Sequence, residues 1–167
     1  MNNEEQVREI WERLTAWFDE NDEYFVEETL NPGVEAEDLE SLEELLGRPL
    51  PGDLKASLQV YDGCAFDTFH LIDETWALLD AKSMGQFYKS LQTEGLERSE
   101  YYLPIARSGG GDYVLIDLET GELRRQKRDQ ENLPLIAASY LEWISAFLTE
   151  VESGALEIDE GSGLYRN

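Results

Sequence analysis

The sequence predicts an α+β fold in which helices pack on a mainly antiparallel sheet. Three observations predict it. Apolar residues recur at helical spacing at both ends of the chain. A β-rich run with a turn and a return strand lies between them. The order, three helices, strands, a helix, a hairpin and a helix, keeps helices and strands largely apart in sequence. At 167 residues with 41% hydrophobic content, the chain is long enough to bury about 70% of its unfolded surface without disulfides or metals.

In the first segment Val7, Ile10, Trp11, Leu14, Trp17 and Phe18 fall on one helical face, while Glu5, Glu9, Glu12 and Asp19 take the others. Asn21-Asp22 ends that helix, and Asn31-Pro32-Gly33 marks a turn. A second helix spans roughly 35–46, with Leu39, Leu42, Leu45 and Leu46 as its stripe and Gly47 as its stop. Pro51-Gly52-Asp53 opens a third, whose stripe is Leu54, Leu58 and Tyr61 and whose stop is Asp62-Gly63. Residues 65–72 and 75–79 read as extended. Asp80 caps a helix over 81–91, carrying Met84, Phe87, Tyr88 and Leu91, and 95–100 read as a polar loop. Residues 113–118 form a strand, Glu119-Thr120-Gly121 the turn and 123–128 the return. The last helix opens on a Ser139…Glu142 capping box and stops at Gly154. No repeat of solenoid period is present. The expected organisation is an acidic helical arm over 1–33 packed on a domain over 34–154, followed by a mobile tail over 155–167.

Charge excludes several function classes. The chain carries 37 Asp and Glu against 13 Lys and Arg, a net charge of -24. That field opposes nucleic-acid phosphates and anionic membranes. A single cysteine, Cys64, forms no intrachain disulfide, and a single histidine, His70, builds no His-rich zinc site. Residues 1–5 lack the basic and apolar pattern of a signal peptide, and no apolar run reaches the ~20 residues of a membrane span. A cytoplasmic protein without cofactor or metal is expected. The acid is uneven: residues 1–48 hold sixteen Asp and Glu against three Lys and Arg, a net of −13. Such a surface keeps a protein dissolved, and it also steers a basic partner toward it.

Several segments carry possible chemistry. Arg107-Ser108-Gly109-Gly110-Gly111-Asp112 looks like a phosphate cradle, but no Gly-Lys-Ser/Thr follows and the next element is a strand. The glycines suit a tight connection instead. Asp62, Asp67, Asp73 and Glu74 crowd one region without the EF-hand pattern. A solvated face explains them better than acid–base catalysis. Cys64 and His70 are six residues apart, about 20 Å along extended chain, which favours a buried cysteine over a nucleophilic pair. Arg124, Arg125, Lys127 and Arg128 read as aggregation-blocking cations on an edge strand, or as internal partners of the acidic helices. Trp11, Trp17, Trp76 and Trp143 read as core. Trp11 and Trp17 would serve a dimer only if their helix were not packed on its own domain, so a monomer or weak dimer is expected.

Taken in order, Leu39-x-x-Leu42-Glu43, Leu45-Leu46-Gly47-x-Pro49-Leu50-Pro51-x-Asp53 and a short helix ending at Asp62-Gly63 resemble the opening of the SUKH superfamily. That superfamily includes bacterial toxin-immunity proteins and fungal cell-wall-assembly regulators of the Smi/Knr type. Leu103-Pro104-Ile105-Ala106, Gly110-Gly111-Asp112 and Val114-Leu115-Ile116-Asp117 resemble its central strand pair, and residues 136–144 its closing helix. Leu103 stands where the family often has Trp, and the acidic first helix lies outside the common pattern.

The resemblance implies a non-enzymatic α+β module that binds other proteins. It implies that Gly47, Pro51, Gly63, Trp76, Pro104, Gly110, Gly111, Asp112 and Asp117 are fold markers. Combined with the charge, it leads to a cytoplasmic immunity protein that occludes a cognate toxin, a basic nuclease or another polymorphic toxin domain, with Asp62, Asp67, Asp73, Glu74 and Asp112 as partner-contact candidates. The alternative is a regulatory scaffold that binds cellular proteins. An enzyme built on clustered carboxylates is a third reading, and it requires a deep pocket holding them.

Overall fold

A computed structural model describes residues 1–65, 76–127, 130, 132–159 and 163–166. It is α+β, as the sequence predicts. Helix α1 spans Asn3–Asn21, capped by the Asn2 side chain, which accepts from the Glu5 amide. A short helix α2 (Phe25–Thr29) and strand β1 (Leu30–Pro32) follow. Helix α3 (Ala36–Leu46) ends at Gly47, whose φ of 72° is the left-handed stop expected there. Helix α4 (Gly52–Val60) runs directly into β2 (Tyr61–Cys64).

The main sheet holds β3 (Trp76–Leu78), β4 (Tyr102–Ser108), β5 (Tyr113–Asp117), β6 (Leu123–Gln126) and β7 (Leu135–Ala137), antiparallel and in that spatial order. Helix α5 (Ala81–Leu91) lies between β3 and β4 in the chain and packs on β4, with α3 against α5. Asp80 caps α5 as expected, accepting from the Ser83 amide at 2.9 Å. Pro104 lacks an N–H and sits in central strand β4, where the pairing with β5 is irregular between Pro104 and Ala106. Helix α6 (Tyr140–Glu152) starts at Ser139, whose Oγ accepts from the Glu142 amide.

The core gathers α1, α4, α6 and the sheet. Trp11, Leu14, Phe18, Leu54, Leu103, Ile105, Tyr140 and Phe147 are all fully enclosed. On β4 and β5, Leu103, Ile105, Val114 and Ile116 join this core, while Tyr102 and Leu115 form a second cluster with Leu91 of α5. Strand alternation places these sets on opposite faces. A buried polar chain ties three helices together: the Trp11 indole donates to Ser57 Oγ at 2.8 Å, and Ser57 Oγ lies 2.7 Å from Tyr140 Oη.

Four expectations change. The third helix ends at Val60, and Tyr61 with Asp62-Gly63 belongs to β2, which pairs with β1. The Asn31-Pro32-Gly33 turn signal therefore holds a short strand, tied by Asn31 Nδ2 to the carbonyls of Asp62 and Cys64. The cationic strand is not an edge, since β7 covers β6. Within the expected tail, β8 (Leu156–Asp159) and β9 (Gly163–Arg166) pair as a hairpin with Leu156 and Leu164 buried. The expected strand over 65–72 lies almost entirely outside the described residues.

Candidate protein-docking surface

Asp62 and Asp112 are both engaged within the fold. Asp62 is half-buried on β2, and its Oδ1 accepts from the Ala81 amide at 2.8 Å, so it helps fix the start of α5. Burial pushes its carboxyl above the ordinary aspartate range, and the nearby carboxylates Asp80 and Asp38 add to the rise. Asp112 pairs with Arg125 at 2.8 Å, and the Arg125 guanidinium lies 5.3 Å from the Trp76 ring centre. One aspartate thus joins the turn before β5 to β6 and, through the stacked guanidinium, to β3. Asp67, Asp73 and Glu74, with His70, lie outside the described residues.

The remaining marker residues occupy structural positions. Gly63 has φ +69°, and a Cβ there would sit 2.5 Å from the Leu79 backbone. Gly111 supplies φ +88° in the β4–β5 turn beside Gly110, and Pro51 precedes α4. Trp76 and Pro104 are buried. Asp117 is 3% exposed; its Oδ1 accepts from the Glu119 and Thr120 amides, closing the hairpin turn, with Arg98 Nη1 3.7 Å from Oδ2. Asp53 bridges two helix starts, accepting from the Leu54 and Leu141 amides. Two arginines of the basic window pair within the fold, with carboxylates that are not on the acidic helices: Arg124 meets Glu122 at 3.1 Å, and Arg125 meets Asp112. Burial pushes the Cys64 thiol up to about 12, so it stays protonated and unreactive near neutral pH. No three His, Cys, Asp or Glu side chains gather to hold a metal among the described residues. No helix among them is long and apolar enough to cross a membrane.

What stays open is the acidic surface of the first three helices. Of the sixteen acidic residues in 1–48, none is buried and thirteen are exposed. Only Asp38 (with Lys82, 3.9 Å) and Glu43 (with Lys55, 3.6 Å) form ion pairs among the described residues. A hollow beside α1 indents this surface. It holds about 390 Å³ between α1 and the α4–β2 junction, floored by Trp11, Val60 and Tyr61 and edged on α1 by Glu12, Ala16 and Asp19. Its floor is rigid: the Trp11 and Tyr61 rings meet edge-on at 5.2 Å, and Thr15 Oγ1 lies 2.9 Å from Tyr61 Oη. The sequence places contact candidates on loops near the strand ends, and local pattern does not reveal this hollow. Its signal was an alanine between two acids on the outer face of the first helix, which becomes legible only once α4 is known to pack beside it.

The chain matches the model of the SMI1 / KNR4 family (SUKH-1) over residues 33–146, more than half its length. It belongs to that family. No curated protein matches it. At the family level, the SUKH-1 domain is an immunity or regulatory binding module. The match begins at Gly33, where a Cβ would lie 2.2 Å from the Gln59 carbonyl oxygen, and ends at Ala146 within α6. Helix α1 precedes the matched SUKH-1 region, yet Val7, Trp11, Leu14 and Phe18 are buried in the same core. The acidic first helix thus lies outside the matched residues and packs on α4 and α6.

Proposed function

We propose that this SUKH-1 protein is an immunity factor that binds a cognate basic toxin, such as a nuclease, and blocks it by stoichiometric occlusion. The observation that carries the reading is the large, unpaired acidity of the N-terminal helices on a domain of this family. A nuclease must attract phosphates and so presents Lys and Arg around its active site. An inhibitor of net charge -24 meets that surface with complementary potential, which raises the encounter rate and mimics the polyanionic substrate. Binding of this kind requires no turnover and no cofactor. The protein acts in the cytoplasm, where a toxin of this class would reach its target.

Co-expression with the toxin encoded beside the gene tests this. The expected result is restored growth and a one-to-one complex on purification. Growth arrest despite expression of both proteins overturns the reading. Co-purification with a cellular regulator in place of a toxin would favour the alternative role, a regulatory scaffold.

A further inference from the structure

We propose that the groove between α1 and the α4–β2 junction is the seat of a basic amphipathic helix of the partner protein; this rests on the reading above that the partner is basic. The groove joins two features that recognise such a helix. Its floor is apolar and preformed by Trp11, Val60 and Tyr61, so an inserted Leu or Ile side chain loses water at little ordering cost. Its edge carries two carboxylates, Glu12 and Asp19, both exposed and without an ion pair among the described residues. They are seven residues apart on α1, about 10 Å along the helix axis. A partner helix with Lys or Arg at i and i+7 and an apolar pair at i+3 and i+4 presents two cations at that spacing and its anchor between them. Ala16 lies at the middle of the edge, and its small side chain leaves the entrance open. The cations of α1 lie away from the groove: Arg8 does not line it, and Arg13 donates from Nε to Glu152 of α6 at 3.0 Å.

The test uses the full chain, labelled with ¹⁵N, and a synthetic helical peptide with two lysines seven residues apart and two leucines between them. The expected amide shifts cluster over residues 12–19 and 60–61, together with the Trp11 indole. Glu12→Lys combined with Asp19→Lys weakens the peptide about tenfold. Ala16→Trp, which fills the groove without altering charge on an exposed helix face, weakens it comparably. Glu37→Lys with Glu40→Lys, the same charge change on α3, leaves affinity within about twofold. Equal loss in the α3 variant, shifts centred elsewhere, or no shifts overturn the proposal. Toxin neutralisation by Ala16→Trp at wild-type strength overturns the groove and leaves the immunity reading standing. Peptide capture by a wild-type protein that neutralises no toxin overturns the immunity reading alone.

Discussion

Asp62 shows how one residue fixes a helix start at a cost. Its carboxylate receives the Ala81 amide, but burial and the neighbouring acids raise its pKa above the ordinary 3.8. The native state therefore holds a proton on Asp62 more tightly than the unfolded chain does. Stability contributed by this site is complete below pH 3.8 and is lost as pH rises through the raised native value. Asp62→Asn keeps the accepting oxygen and removes the charge. Thermal unfolding at pH 7 is expected to show a higher midpoint for the variant, with the gap closing as pH approaches 3.8. Ser57 has the opposite character, because both its partners are buried and neutral. Burial also pushes the Tyr140 hydroxyl above its ordinary value, so it stays protonated in this network. Ser57→Ala leaves the Trp11 indole and the Tyr140 hydroxyl short of a partner, and urea denaturation should show a loss of about 1–3 kcal/mol. Tyr140→Phe should be milder at the same network only if the ring, not the hydroxyl, carries most of its value.

Elements with long apolar periodicity or a cap were legible in the sequence. The α5 boundaries follow from Asp80 and the Met84, Phe87, Tyr88, Leu91 stripe, and α6 follows from its Ser139 cap. Elements made by long-range pairing were not. Strand β1 is three residues long and owes its place to β2 and to the Asn31 amide, neither visible in local pattern. Strand β7 is equally short, and it turned the cationic β6 from an expected edge into an interior strand. The candidate site divides the same way. Acidity was readable from composition, whereas Asp112 could be seen to pair with Arg125 only once β5 and β6 were in register. Glycines separate by surroundings: Gly63 is both left-handed and pressed on Leu79, while Gly111 is left-handed in open space. Gly63→Ala should therefore cost roughly 2–5 kcal/mol by chemical denaturation, and Gly111→Ala only about 1–2.

At the scale of the whole molecule, the acidic field and the fold have separate origins that meet at α1. The SUKH-1 match begins after that helix, but the helix packs its buried face on α4 and α6 and carries much of the unpaired charge outward. Charge spread over three helices acts at a distance, so it governs encounter more than lifetime. The groove beside it is the proposed short-range contact that such a field lacks. These two contributions predict different salt responses, with the association rate falling as salt rises and the dissociation rate changing little.

The association rate of this protein with the toxin encoded beside it, followed by stopped flow across a salt series, tests the central claim most directly. A one-to-one complex whose association slows at least about tenfold between low and physiological salt, with a nearly constant dissociation rate, is the predicted result. Absence of a complex, or an association rate indifferent to salt, would contradict it.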